Sequence, residues 1–349
     1  MKSFDIVEWG RPLQEVIRAT PKPTGSEVLL AVQACGVCHS DLHIRDGFLD
    51  LGEGRRASFE DLGLKLPFTL GHEIVGTVVA AGPAADIAPG ARRVVYPWIG
   101  CGVCRHCTAG DELSCESNVA LGTRRAGGYA DHVIVPHPRY LLDFGDLDPL
   151  VAATCACSGL TAFSALRKLP VYGPEDTLLL IGAGGLGLAA LDLARTLTKA
   201  RVVVADIDPA KLMAASAASG CATVDLRQPG AVERLRAIVG EGVRGVIDFV
   251  GAPNTLDFGL KAAGKGATLV AVGLFGGGLN LSTAMLPSRN LTLRGSYVGT
   301  LQEMRDLLAL VQRERLLRVP IEQIPMPQIN DALEALATGR ARGRLVAVA

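Results

Sequence analysis

The segment Leu178-Leu179-Leu180-Ile181-Gly182-Ala183-Gly184-Gly185-Leu186-Gly187 carries two signals in direct succession. Its first four residues are an unbroken apolar run, short enough for a strand buried on both faces. The rest fits G-x-G-x-x-G at a strand-to-helix turn, the context in which that pattern binds a dinucleotide. Gly182 permits the tight turn, Gly184 lets the backbone approach a pyrophosphate, and Gly187 lets helix and strand pack closely. Gly185 and Leu186 open the helix, whose N-terminus meets the anionic group. Periodic apolar residues continue the helix over Leu186–Thr198, and Arg201-Val202-Val203-Val204-Ala205 reads as a second buried strand. Asp206 follows it, about twenty positions past the glycines. Its carboxylate suits the adenosine ribose hydroxyls and repels a 2′-phosphate, so the expected cofactor is NAD rather than NADP. The alternative role for a strand-end acid, capping the next helix, suits Asp208 better.

Outward from this segment the alternation persists. Lys211 to Ala218 reads as a helix, and Gly245–Val250 and Thr268–Val272 as further strands. Strand–helix alternation implies an α/β fold, a doubly wound parallel sheet with helices on both faces. Before about residue 150 the texture differs. Val28–Val32, Ile74–Val79 and His132–Val135 read as strands between Gly- and Pro-rich turns, with little helical periodicity, so this half is expected to be mostly β. Helices are expected at Leu301–Arg315 and Ile329–Ala337, and a last strand at Arg344–Val348. The uncharged stretch Gly266–Ser288 contains Gly276-Gly277-Gly278, Asn280 and Pro287, which favour a buried strand-turn-strand over a membrane span. A chain of 349 residues exceeds what one core supports, so two domains are expected.

Formal net charge is +0, without the basic surplus that a nucleic-acid partner requires. The opening residues Met1-Lys2-Ser3-Phe4-Asp5 hold no apolar secretory core, so a cytoplasmic location is expected. Nine cysteines in such a chain point to metal ligation before disulfides. Cys101-x2-Cys104-x2-Cys107-x7-Cys115 can wrap a tetrahedral zinc in one lobe, and a filled four-sulfur shell makes that zinc structural. An iron–sulfur cluster satisfies the ligand types too, but nothing else points to electron transfer. A second, dispersed set comprises Cys38-His39-Ser40-Asp41-Leu42-His43, His72-Glu73 and Cys155-Ala156-Cys157. Two thiolates and an imidazole hold zinc with one position open. Taken singly, each of these residues has a structural alternative as a buried Cys or His.

Together these motifs resemble, in order and over essentially the whole chain, the zinc-containing medium-chain alcohol dehydrogenases. The resemblance implies a Rossmann domain over 158–297 that binds NAD. It implies a mostly-β, GroES-like catalytic domain formed by 1–157 and 298–349, which carries two zinc ions. By position, Cys38, His72 and Cys157 resemble the catalytic zinc ligands. Cys157 is preferred to Cys155 because Ser158-Gly159-Leu160-Thr161 follows it in register. Glu73 resembles the carboxylate that approaches the metal during ligand exchange, and Asp41 the residue that orients His72. Ser40 and His43 resemble the proton relay. His39 and Arg344 look like pyrophosphate contacts and Lys211 like the lysine beside the adenosine ribose. Thr161 and the backbone near Val272 and Val298 would line the nicotinamide.

The long segment between Asp46 and Leu66, together with Tyr96-Pro97-Trp98-Ile99-Gly100 and Gly295-Ser296-Tyr297-Val298-Gly299-Thr300, is similar to bacterial dehydrogenases that act on 6-hydroxyhexanoate, with broad alcohol specificity as the alternative. Phe48 and Trp98 are expected to line an apolar pocket, with core packing as their alternative, and Arg55, Arg56 and Lys65 to stand near its mouth, with a solvated loop of ordinary surface charges as theirs. The implied partners are a small alcohol and its aldehyde or ketone, with no membrane and no nucleic acid, and assembly as a homodimer or homotetramer. Rival readings are a polyol or threonine dehydrogenase with the same site, a zinc-free enone or quinone reductase, and a non-catalytic zinc-ribbon binding module. The reductase needs neither cysteine set, and the dinucleotide signature counts against the binding module.

Overall fold

The computed structural model describes all 349 residues. The first half is built from ten strands. These are β1 (Lys2–Ile6), β2 (Gln14–Ile17), β3 (Val28–Val37), β4 (Phe48–Gly52) and β5 (Arg55–Ser58), then β6 (Phe68–Thr69), β7 (Glu73–Ala81), β8 (Arg92–Val95), β9 (His132–Val135) and β10 (Leu141–Leu142). Two short helices interrupt them, α1 (His39–Asp46) and α2 (Arg105–Thr108). The chain then enters one long apolar helix. It comprises α3 (Pro149–Thr154), a π-helical turn at Cys155–Gly159, and α4 (Leu160–Arg167). By length and composition this helix could cross a membrane, but 83% of its apolar window is buried inside the fold.

The second half alternates strands and helices: β11 (Thr177–Ile181), α5 (Gly185–Leu197), β12 (Arg201–Asp206), α6 (Pro209–Ser219), β13 (Ala222–Asp225), α7 (Ala231–Val239), β14 (Val243–Asp248), α8 (Pro253–Ala262), β15 (Ala263–Ala271), α9 (Met285–Ser288) and β16 (Thr292–Gly295). All six strands are parallel, in the order β13-β12-β11-β14-β15-β16. That is the doubly wound dinucleotide order, whose cleft opens beyond the strand ends at β11. β11 is buried at all five positions. Leu178 and Leu180 join the core shared with the first half, while Leu179 and Ile181 join a second core on the other face. Burial on both faces explains why this strand reads as a continuous apolar run rather than an alternating one.

The chain ends with α10 (Leu301–Glu314), β17 (Ile321–Pro325), α11 (Ile329–Ala337) and β18 (Arg344–Val348). β18 pairs antiparallel with β3, so the C-terminus completes the sheet of the first half, β10-β8-β7-β3-β18-β17.

One expectation needs correction. Residues 266–288 are not a strand-turn-strand: β15 ends at Ala271, an irregular segment follows, and α9 ends it. Gly276 and Gly277 both adopt positive φ, at 95° and 101°, which holds the segment out of any ladder.

Candidate active site

Sheet pairing brings Cys38 and His72 together. β3 and β7 run antiparallel with Gly36 opposite Glu73. Two residues past Gly36, Cys38 caps α1; one residue before Glu73, His72 enters β7. A side chain on Gly36 would overlap Glu73, so this close crossing requires glycine. The third element is the π turn at 155–159, whose extra residue per turn re-aims side chains within an otherwise regular helix. It presents Cys157 Sγ at 3.9 Å from Cys38 Sγ.

Donor atoms of Cys38, His72, Glu73 and Cys157 all lie within 4.8 Å of one another, and all four residues are buried. Neither ring nitrogen of His72 forms a hydrogen bond, although Nδ1 lies 3.4 Å from Asp41 Oδ1. An unpaired buried imidazole nitrogen is costly unless something binds it. Tetrahedral zinc with Zn–S bonds of about 2.3 Å holds sulfurs roughly 3.8 Å apart, so spacing and donor set both fit that ion. The hydrogen bond from Cys157 holds the Cys38 thiol well below the usual thiol range, and the same contact raises Cys157. Cys155, two residues away, is fully buried and outside the cluster, and burial pushes its thiol up to about 12. Glu73 is raised by burial to about 7 against the pull of Arg344. The Arg344 guanidinium donates to Glu73 Oε1, and its Nε has no partner.

The four-cysteine lobe forms a second cluster. Cys101 Sγ lies 3.9 Å and Cys104 Sγ 3.5 Å from Cys107 Sγ, and all four ligand atoms fall within 4.8 Å. The Val103 and Cys104 amides pull the Cys101 thiol down to about 6, as hydrogen bonds to a thiolate do. Buried Glu112 ties the lobe to the sheet by accepting from Arg139 at 2.8 Å and from the Tyr140 hydroxyl at 3.1 Å.

Beyond β11, Gly182 has φ +97° and Gly184 faces open space, with no atom within 4 Å of where a Cβ would stand. A Cβ on Gly187 would overlap the Gly182 carbonyl. This is an open backbone cradle at a helix N-terminus, the form a pyrophosphate needs. Asp206 Oδ2 accepts from Ala183 N at 2.6 Å and Oδ1 from Asp208 N at 2.8 Å, which fixes the acid beside the glycine turn. Asp208 caps α6 through Ala210 N, and Lys211 lies in the first turn of that helix.

Residues 24–145 match the alcohol dehydrogenase GroES-like domain, and residues 185–313 match the zinc-binding dehydrogenase domain. An NAD-dependent alcohol dehydrogenase of Sulfurisphaera tokodaii is 34% identical, with 100% of both chains covered. One from Saccharolobus solfataricus matches equally, at 34% with 100% of both covered. The chain belongs to the zinc-binding medium-chain alcohol dehydrogenases. The crystal structure of an Aeropyrum pernix alcohol dehydrogenase superposes with a TM-score of 0.91 at 29% identity, over 100% of both chains. The fold is therefore that of this dehydrogenase family, a GroES-like unit joined to a Rossmann sheet.

Around this dehydrogenase centre, Ser40 and His43 lie three residues apart on α1 and are half-buried, whereas His39 is exposed. Burial lowers the pKa of His43 below its ordinary 6.5. Thr161 is buried on α4, one turn beyond Cys157. Val272 and Val298 are buried, and Val298 holds φ +37°, a strained conformation for a β-branched residue. Trp98 packs its ring 5.2 Å from His72 and donates Nε1 to the Ala156 carbonyl at 2.9 Å. Phe48 lies under Arg56, whose guanidinium carbon is 4.0 Å from the ring centre. Sequence reasoning missed Tyr129, whose hydroxyl reaches Asp41, and the contact by which the Tyr297 ring meets Trp98 at 5.6 Å. The sequence showed only glycines before Tyr129 and a strand-end serine before Tyr297, neither of which signals a contact with residues so distant in the chain.

Proposed function

We propose that this dehydrogenase oxidises a small alcohol reversibly to its aldehyde or ketone, with NAD as hydride acceptor and two zinc ions per chain. One side chain carries the reading. Arg344 pairs with Glu73 of the buried donor cluster, while its stem packs so tightly on Gly185 that a Cβ there would overlap it. The cluster and the dinucleotide turn are thus neighbours, which is what transfer between an alcohol carbon and a nicotinamide requires. Bound in these sites, zinc supplies Lewis acidity to the alcohol oxygen and NAD accepts the hydride.

The chain's own residues do the rest. Cys38, His72 and Cys157 hold the catalytic metal, Glu73 stands by as an alternate ligand, and Cys101, Cys104, Cys107 and Cys115 hold the structural one. Ser40 Oγ takes the hydroxyl proton, and the half-buried His43 imidazole passes it towards solvent. The glycine turn, Asp206 and Lys211 bind the adenosine half of NAD. Thr161, Val272 and Val298 flank the nicotinamide, and His39 and Arg344 serve the pyrophosphate. Trp98 excludes water beside His72, and Phe48 lines the outer pocket. Residues 1–157 and 298–349 act as the catalytic unit and 158–297 as the dinucleotide unit. Support for that division comes from β18, which returns to pair with β3.

Primary alcohols and ω-hydroxy acids are the favoured substrates, Arg56 providing a cation at the outer pocket. Assembly is homo-oligomeric. Its support is β16, an edge strand with all four residues exposed, which is open to pairing.

The test is a coupled assay with primary alcohols, secondary alcohols and ω-hydroxy acids, alongside zinc analysis. Two zinc per chain are expected, and a preference for NAD over NADP of about tenfold or more, equivalent to about 1.4 kcal/mol. Asp206→Ala should narrow that preference. A wild-type enzyme that is metal-free, or that prefers NADP, overturns the proposal.

A further inference from the structure

The Asp41 carboxylate is fully buried, which demands donors on both oxygens. Oδ2 accepts from Cys38 N at 2.9 Å and from the Tyr129 hydroxyl at 2.8 Å. Oδ1 accepts a long bond from Gly71 N at 3.4 Å and stands 3.4 Å from His72 Nδ1. Tyr129 is thus the one side-chain hydroxyl on Asp41. Its other contact, the Gly36 carbonyl, is longer at 3.5 Å, so the single phenolic proton points at the carboxylate. The segment carrying Tyr129 is bonded to the one that leads into His72: Gly127 N donates to Thr69 O at 2.9 Å, Gly128 N to Gly71 O at 2.7 Å, and Tyr129 N to Leu70 O at 3.0 Å. Gly71 holds φ +92°, and a Cβ there would come within 2.6 Å of the Tyr129 ring.

We propose that Tyr129 is a positioning residue for the catalytic metal centre: its hydroxyl fixes Asp41, and Asp41 fixes the ring of His72. This rests on reading Cys38, His72 and Cys157 as that centre. The carboxylate beside Nδ1 sets the tautomer with the proton there, which leaves Nε2 with its lone pair for the metal. Tyr129 reaches neither the metal ligands' donor atoms nor any substrate, so its effect passes through Asp41. Tyr129→Phe keeps the ring that packs on Gly71 and removes only the hydroxyl. Asp41 then loses one of its two good donors and is free to turn away from His72.

The experiment compares wild type, Y129F, D41N and the double variant, each as the full zinc-loaded enzyme. Release of zinc to dipicolinate is followed per chain, and the visible absorption of cobalt substituted at the catalytic site is recorded. Y129F should release one of its two zincs about tenfold or more faster, within the range typical for loss of such supporting groups. The four-cysteine zinc should be released at the wild-type rate, and the cobalt bands should shift. Adding Y129F to D41N should change release little further, since both act along one path. Equal release rates in wild type and Y129F overturn the inference while leaving the metal centre intact. So does loss of both zincs together, which marks a structural role. A wild type that binds only one zinc per chain overturns the reading of the centre itself.

Discussion

Cys155 and Cys157 are both buried on the same helix, and only Cys157 meets Cys38. Cys157→Ser should therefore strip about one zinc per chain and abolish turnover, while Cys155→Ser retains both metal and activity. Metal analysis after gel filtration separates the two, and depletion by Cys155→Ser would move the ligand by two residues. His43 carries a pH signature. Burial lowers its pKa below 6.5, so the imidazole is neutral at pH 7, the form that the proposed relay needs. As pH falls through that lowered pKa the ring charges and the relay closes, so kcat for alcohol oxidation should decline on the acid side of about 6.5. His43→Gln should flatten that limb. A limb unchanged in the variant would assign it to another group.

At the scale of elements, the four-cysteine lobe has scant secondary structure of its own, one turn of α2 and a short 3-10 turn at Glu112–Ser114. What holds it in place is the anchor from Glu112 to Arg139 and Tyr140, and the proposed sulfur ligation would fix the rest. Cys104→Ala should lose one zinc and lower the melting temperature by roughly 5–10 °C, at about 2–4 °C per kcal/mol lost. An unchanged melting temperature and metal content would refute the assignment. The hairpin β4–β5 behaves differently. It is two-stranded, marginal alone, and held by contact with other parts of the chain.

Across the whole molecule, that hairpin spans the cleft. Gly52 approaches the Gly277–Gly278 backbone so closely that no side chain fits, and Gly276 lies against Asp50. Phe48 and Arg56 sit on the two strands of this hairpin, Phe48 half-buried and Arg56 exposed. Arg55 stands within 3.7 Å of Glu53, whereas Arg56 lies over the Phe48 ring, which makes Arg56 the cation to test for a substrate carboxylate. Arg56→Ala should raise KM for 6-hydroxyhexanoate about tenfold at unchanged kcat and leave 1-hexanol unaffected, the pattern of lost ground-state binding. Equal kcat/KM for acid and plain alcohol in the wild type would retire the carboxylate preference.

What the sequence determined by itself was everything set by local spacing. The glycine turn at 182–187 and the strand before it were legible because backbone sterics and two-face burial act within a few residues. The last helix and strand, Ile329–Ala337 and Arg344–Val348, lie where the periodicity put them. The Cys101–Cys115 lobe was readable for the same reason: its ligands are close in the chain. The tertiary structure decided what depends on distant segments. Cys38, His72 and Cys157 meet only because β3 pairs with β7 and a π turn shifts the helix phase, and no local pattern encodes either. Hydrogen bonds from Tyr129 to Asp41 and from Arg344 to Glu73 join residues 88 and 271 positions apart. The irregular path after β15 escaped the sequence reading because an uncharged, apolar composition marks burial without specifying a ladder. Contact with the β4–β5 hairpin, where glycine backbones touch, is what gives that path its place.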